Sequence, residues 1–276
     1  MQKRLVLARI MQRNDQDVKG CVMLNIIKSA LSVSSHKLNV VSNNIANTGS
    51  TGFKRSEATF RDVYLAGAGA SGPNVGQGSM VAVNRVSHNP AELKQTGIVT
   101  DIAVNGHGLF MLGSVEGTDQ VTFTRNGSFQ INEAGLLSAN DGSPVLTRKL
   151  EEISIPFQNN GIPLSGLEIN PEGDVLATYG VGMPLNLGRI GLANFDNPAA
   201  MRQLGNGRYL ATEEASFFGA FDPTNGGVGN VISGHLEVSN VDITNELVGL
   251  INAQQAFTAA SKALQADSDM VSRFTR

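Results

Sequence analysis

Two stretches, one near each end of the chain, carry apolar residues at alternating steps of three and four. They run from residue 23 to about residue 47 and from about residue 242 to residue 276. This spacing places an apolar stripe along one face of a helix and favours packing against a partner helix. The predicted stripe residues are Leu24, Ile27, Leu31, Leu38, Val41 and Ile45 in the first helix, and Ile243, Leu247, Leu250, Phe257, Leu264 and Val271 in the second.

The middle of the chain has a different pattern. All 9 prolines lie between Pro73 and Pro223, and all but two of the 31 glycines lie between Gly49 and Gly234. Both residue types favour turns over helix interiors. From residue 79 the apolar period changes to two, which predicts strands. The predicted strands cover residues 80–86, 102–104, 109–112, 121–124 and 128–131, and a short apolar pattern at Phe60, Val63 and Tyr64 predicts a helical turn before them.

Asn-Gly and Asp-Gly pairs recur between the predicted strands. Such pairs are typical of tight hairpins because both residues accept a positive φ. The predicted hairpin turns are at residues 105–106, 126–127, 141–142, 206–207 and 225–226. The predicted fold class is therefore α+β: heptad-patterned N- and C-terminal helices that pair as a coiled-coil-like layer, and a central antiparallel all-β domain.

We predict four segments along the chain. Residues 23–66 form the N-terminal helix and an extended linker, 67–234 a glycine-rich loop and the β domain, and 235–276 the C-terminal helix. Residues 1–22 are basic, lack the long apolar block of a secretory signal, and precede the apolar pattern that Met23 opens. Two interpretations of this segment stay open: a mis-assigned start that makes Met23 the first residue, or a disordered tail.

The composition of the chain disfavours several classes of partner and of covalent crosslink. The net charge of −3 disfavours a nucleic-acid partner. No run of 18 apolar residues occurs, so we predict no membrane insertion. The single cysteine, Cys21, excludes an internal disulfide.

Motifs for catalysis or cofactor binding are weak. Residues 67–72 match G-x-G-x-x-G, but Pro73 and further glycines follow, so the helix that a dinucleotide site needs cannot begin there. His36, His88, His107 and His235 have no metal-ligand spacing, and we interpret them as solvated. We predict no enzymatic activity, no cofactor, no metal and no small-molecule ligand.

Three segments resemble the bacterial flagellar rod and hook proteins. Residues 43–54 are similar to that family's S-x-N-I/L-A-N-x-x-T-x-G-F/Y-K signature. Residues 101–110 and 123–129 resemble D-x-A-I-x-G-x-G-F-F and F/Y-T-R-x-G-x-F, and residues 236–254 resemble L-E-x-S-N-V-D…E-L…A-Q. The first segment supplies a predicted assembly linker, with Asn43, Asn44, Ala46, Asn47, Thr51, Gly52, Phe53 and Lys54.

The resemblance implies a structural subunit of the flagellar basal-body rod, which assembles through its terminal helices as a helical tube across the periplasm. The implied partners are copies of itself, other rod and hook proteins, and the type III export apparatus, which exports such chains without a cleaved signal. The chain is short for a hook protein, so the rod is favoured within the family. Two alternatives stay open: a hook protein, and a secreted β-binding module dimerised by its terminal helices.

Overall fold

The computed structural model describes residues 2–64, 76–113 and 121–274, with side chains of the first helix from residue 23 onward. The chain divides into two compact units. The helical unit comprises residues 1–45, 56–85 and 243–276, and the β unit comprises residues 46–55 and 86–242. Helices at both ends and antiparallel strands between them confirm the α+β class.

The helical unit contains α1 (Gln2–Ala46), α2 (Ile243–Phe274) and a pair of strands, β1 (Ser56–Tyr64) and β2 (Gly76–Val86). Helix α1 extends N-terminally beyond the start of the predicted apolar pattern. The predicted helical turn over Phe60, Val63 and Tyr64 is wrong, because β-branched and aromatic residues there favour a strand that pairs with β2. In the described part of the chain, no helix combines the length and apolarity needed to cross a lipid bilayer.

The β unit is built from short strands, and every pairing described between them is antiparallel. They are β3 (Leu93–Gln95), β4 (Ile102–Asn105), β5 (Leu109–Leu112), β6 (Thr122–Thr124), β7 (Phe129–Ile131), β8 (Leu137–Ala139), β9 (Gln158–Asn159), β10 (Ile162–Ile169), β11 (Asp174–Tyr179), β12 (Leu185–Arg189), β13 (Leu192–Phe195), β14 (Arg202–Gly205), β15 (Arg208–Leu210), β16 (Phe217–Phe221), β17 (Asn230–Ser233) and β18 (His235–Glu237).

A six-stranded sheet of order β14-β15-β6-β5-β13-β16 organises the core of the β unit. All four residues of β5 are buried, which explains its unbroken apolar run. Leu109 and Met111 belong to one buried cluster, whereas Phe110 and Leu112 belong to another. The second cluster also includes Val175 of the four-stranded sheet β12-β11-β10-β9.

The predicted hairpin turns are confirmed at two sites. Asn206 and Gly207, with φ of 51° and 69°, join the paired strands β14 and β15. Residues 141–142 close a tight turn after β8, in which the Ala139 amide donates to the Ser143 carbonyl over 2.9 Å.

The other three predicted hairpins are wrong. Residues 105–106, 126–127 and 225–226 each lie between strands that pair elsewhere; β4, for example, pairs with β17, whereas β5 pairs with β6 and β13. At Gly127 the glycine permits close packing, because a Cβ there would lie 1.6 Å from the Ile102 carbonyl oxygen.

Candidate functional site

The predicted linker enters the β unit through Gly52. This glycine has a φ of +66°, and a Cβ on it would lie 2.5 Å from the backbone nitrogen of Asn126. Its own amide donates to the Glu237 carbonyl over 2.7 Å, and the adjacent Thr51 hydroxyl donates to the Asn126 side chain over 3.1 Å. Only glycine fits both the conformation and the close approach, which brings Lys54 to the centre of the unit.

A buried ionic cluster forms there from Lys54, Arg125 and Glu237. The Lys54 ammonium donates to Glu237 Oε1 over 2.7 Å and to the Asn89 carbonyl over 2.6 Å. Arg125 Nε donates to the other carboxylate oxygen, and the Ala91 amide adds a 2.8 Å bond to Oε1. The side chains of Lys54 and Glu237 are each 1% exposed and that of Arg125 is 4% exposed.

The remaining guanidinium donors of Arg125 bind backbone carbonyls of one turn. Its Nη2 donates to the carbonyls of Val104 and Gly106 over 2.8 and 2.6 Å, and its Nη1 donates to the Gly108 carbonyl. Gly106 and Gly108 have φ of +121° and +123°. The two glycines let the turn direct the carbonyls of three alternate residues at one cation, so the D-x-A-I-x-G-x-G segment serves to hold this arginine.

The electrostatics of the cluster favour a structural role. Burial by itself would raise the pKa of Glu237, but the charges of Arg125 and Lys54 outweigh it and hold that pKa below its usual value. Removing one member of such a buried group leaves an uncompensated charge, which costs about 3–5 kcal/mol. Among the described residues, no group of three or more His, Cys, Asp or Glu is placed to hold a metal.

His88 lies beside this cluster. Burial, together with the charges of Lys54 and Arg125, lowers its pKa to about 4. Its ring packs edge-on against Tyr209, with centroids 5.0 Å apart. The prediction that all four histidines are solvated is therefore wrong for His88, because the chain after β2 passes over the buried cations.

A second polar junction lies in the helical unit, at Asn44 of α1. Its side chain amide donates to the Ser56 carbonyl over 2.9 Å, and its oxygen accepts from the Ser56 amide over 3.0 Å. The same amide donates to Glu246 of α2 over 3.2 Å. Asn44 is 1% exposed and Glu246 is 2% exposed. This one side chain therefore binds the start of β1 and the first turn of α2.

The predicted stripe of α1 lies on its covered face. Ile27 and Val41 are buried, and Leu24, Leu31, Leu38 and Ile45 are half-buried. A Cβ placed on Gly249 of α2 would lie 3.7 Å from Val41, so the helices also approach each other beside the Asn44 junction. Pairing of the two helices as a coiled coil along their length stays a prediction.

The predicted stripe of α2 is divided between covered and open positions. Leu250 and Leu264 are half-buried, whereas Ile243, Leu247, Phe257 and Val271 are exposed. The buried positions of α2 are instead the small or acidic residues Glu246, Ala253 and Asp267. Four residues, between 45% and 55% exposed, form what we call the exposed apolar face of α2: Ile243, Leu247, Val248 and Ile251.

Linker residues are distributed across the two units. Asn44, Gly52 and Lys54 are buried, and Asn47, Thr51 and Phe53 are half-buried. Asn43 and Ala46 are exposed at the end of α1. Sequence reasoning did not single out Arg125, Glu237 or Glu246, although each lies in one of the three segments that resemble the family. The sequence pattern that could have indicated these residues is a charged side chain flanked by apolar residues or glycines. The G-x-G-x-x-G segment at residues 67–72 lies outside the described residues.

Models of three related families match separate parts of the chain. Residues 24–54 match "Flagella basal body rod protein", residues 103–177 match "Flagellar hook protein FlgE/F/G D1 domain", and residues 232–276 match "Flagellar basal body rod FlgEFG protein C-terminal". Each matched region supplies one member of the buried ionic cluster: Lys54, Arg125 and Glu237, respectively.

Whole-length relatives agree with these matches. The chain is 32% identical over 266 residues to the flagellar basal-body rod protein FlgG of Buchnera aphidicola subsp. Schizaphis graminum, covering 91% of this chain and 97% of the relative. This chain belongs to the flagellar basal-body rod protein family. FlgG of Bacillus subtilis is 31% identical over 247 residues, covering 85% of this chain and 90% of the relative. The flagellar hook protein FlgE of Brucella suis is 35% identical over 108 residues, which cover 39% of this chain and 27% of the hook protein.

Proposed function

We propose that this chain is a structural subunit of the bacterial flagellar basal-body rod that polymerises through its terminal helices and transmits torque in motility. The observation that carries the proposal is the exposed apolar face of α2, where Ile243, Leu247, Val248 and Ile251 follow one another on neighbouring turns. An apolar face of this kind that is exposed in a single chain usually marks a surface that another protein covers. Neighbouring subunits of a helical polymer supply that cover.

Family coverage favours the rod over the hook. The rod proteins named FlgG align over 90–97% of their length, whereas the hook protein aligns over 27% of its length. Export through the flagellar type III apparatus without a cleaved signal is part of the same proposal. The buried ionic cluster then gives the β unit of each subunit a rigid body through which load can pass.

Replacing Leu247 by Asp tests the proposal. We expect loss of assembly and of motility, because the subunit interface would have to bury an unpaired carboxylate. Ala256→Asp, at an exposed position on the side of α2 opposite Leu247, is the matched control and should assemble normally. Electron microscopy of concentrated protein and swimming assays of complemented cells provide the two measurements. Normal tubes from the Leu247 variant would refute the role of the α2 face.

A further inference from the structure

The buried ionic cluster adjoins a cavity of about 50 Å³ within the β unit. Its lining includes Lys54, Arg125, His88, His107 and Phe195. A water molecule needs roughly 10–15 Å³ of such space, and the ~150 Å³ cavity that accepts benzene is about three times larger. The cavity therefore suits one small ion or a few waters and is too small for an organic ligand.

The positive charge beside the cavity exceeds the negative charge. Lys54 and Arg125 share one carboxylate, that of Glu237, and among the described residues no other acidic side chain pairs with either cation. Carbonyl oxygens accept the other bonds of the two cations, but a carbonyl carries only a partial charge. Burial lowers the pKa of Lys54 and the Arg125 charge lowers it further, against the opposing effect of Glu237. The cluster thus retains one net positive charge.

Each cation also has one N–H group that no described residue uses. An ammonium has three donors, and Lys54 uses two of them, to Glu237 and to the Asn89 carbonyl. A guanidinium has five donors, and Arg125 uses four, to Glu237 and to the three turn carbonyls that hold it. Because both side chains line the cavity, an acceptor placed there would satisfy charged donors.

His88 supplies a third polar group of the lining. Its Nε2 is buried and has no hydrogen-bond partner among the described residues. Burial and the charges of Lys54 and Arg125 disfavour its protonated form, whereas a backbone hydrogen bond to Pro198 and the Glu237 charge favour it. An imidazolium donates from both nitrogens, so an anion in the cavity and a proton on His88 would stabilise each other.

We propose that this cavity binds one monovalent inorganic anion of the size of chloride, held by Lys54 and Arg125 and bound more tightly when His88 is protonated. An anion balances the excess charge and accepts hydrogen bonds from the unused N–H groups. A water molecule would accept the same bonds but would leave the buried positive charge uncompensated. The site goes beyond the proposed function and does not depend on it, because every residue involved lies within the β unit of a single chain.

Chemical denaturation of the full-length chain at constant ionic strength tests the site. Chloride replaces gluconate stepwise near neutral pH, since gluconate is too large an anion for the cavity. Above the dissociation constant, we expect each tenfold increase in chloride to raise the folding equilibrium constant about tenfold, with bromide acting alike. Equal stability in chloride and gluconate at every ratio would overturn the proposal and leave water as the occupant.

Two variants identify the groups that hold the anion. Lys54→Met removes the excess charge, and we expect its stability to be equal in the two salts, whereas Lys94→Met, exposed on β3, should respond to chloride as the wild type does. Each variant is compared with itself in two salts, so a general loss of stability does not affect the readout. Lowering the pH should strengthen the chloride response of the wild type and not that of His88→Phe. A chloride response retained by Lys54→Met, or one that weakens with acid in the wild type, would overturn the assignment.

Anomalous diffraction from wild-type crystals grown in bromide locates the anion without any substitution. We expect a bromide peak in the cavity, in contact with Lys54 and Arg125. Peaks confined to the protein surface would indicate an adventitious ion only and would overturn the proposal.

Discussion

The buried ionic cluster of the β unit and the Asn44 junction of the helical unit differ in how fully the chain itself covers the surface next to them. The cluster of Lys54, Arg125 and Glu237 closes within the β unit, where carboxylate, carbonyls and cations satisfy one another at 1–4% exposure. The Asn44 junction of the helical unit is equally buried, yet α2 continues from it with an apolar face about half exposed. The β unit buries its polar cluster within a single chain, whereas the helical unit presents an exposed apolar face that we propose neighbouring subunits cover. Substitutions in the two units should therefore separate folding from assembly.

The largest expected effect is on the β unit. Glu237→Gln leaves Lys54 and Arg125 buried without their anion, and we expect it to lower the free energy of unfolding by about 3–5 kcal/mol. Chemical denaturation followed by tyrosine fluorescence or circular dichroism measures this loss. Glu168→Gln, exposed on β10, is the control and should change stability by less than about 0.5 kcal/mol. A Glu237 variant as stable as the wild type would show that the cluster is dispensable.

His88 makes the stability of the β unit depend on pH. Its pKa is lowered from 6.5 to about 4 in the folded chain, so the unfolded chain binds the extra proton between these values. Stability is then fully present above pH 6.5 and falls by about 2–3 kcal/mol as the pH drops towards 4. Denaturation midpoints across this range measure the slope. His88→Phe should flatten it and the exposed His107→Gln should not; an unchanged slope in the His88 variant contradicts the assignment.

Asn44 tests the junction of the helical unit. Asn44→Ala removes the side-chain bonds to both backbone groups of Ser56 and to Glu246, and we expect a loss of about 1–3 kcal/mol in that unit. Protease cleavage between β1 and β2 or within α2, quantified by mass spectrometry, reports it. Ser42→Ala, an exposed position two residues earlier, should cleave at the wild-type rate. Equal rates for the two variants would show that the junction does not stabilise the helical unit.

We expect Leu247→Asp to have the smallest effect on stability, although it should have the largest effect on assembly. Leu247 is 45% exposed, so Leu247→Asp should change the free energy of unfolding by no more than about 0.5 kcal/mol. The same denaturation measurement checks this value in dilute protein. A loss above about 2 kcal/mol would mean that Leu247 packs within its own molecule and is not an assembly residue.

Local patterns predicted both terminal helices and five of the strands, β2 and β4 to β7, but not the contacts between distant elements. The apolar runs at residues 102–104 and 109–112 form β4 and β5, and they could be predicted because short apolar runs bounded by turn residues are a local signal. Pairing is not local: β4 pairs with β17, far along the chain, so Asn105-Gly106 could not be a hairpin. Arg125 and Glu237 are 112 residues apart, and only the folded chain shows that the motif charges meet.

The heptad pattern of α2 predicted an apolar stripe without saying which neighbour would cover it. Leu250 and Leu264 are half-buried within the chain, whereas Ile243 and Leu247 remain exposed. A repeat of three and four residues describes any helical face, and the buried residue Ala253 lies outside the predicted stripe. Which stripe meets which surface depends on tertiary and subunit contacts, which a single sequence does not encode locally.

Hydrogen–deuterium exchange of the full chain, compared between dilute and assembled protein, tests the central claim most directly. We expect the backbone of residues 86–113 and 121–242 to exchange equally slowly in both states, because the β unit is complete in one molecule. Helix α2 should exchange much more slowly only after assembly, when neighbours cover Ile243, Leu247 and Ile251. If α2 were already fully protected in dilute protein and its exchange did not change on assembly, the claim that neighbouring subunits cover this helix would be contradicted.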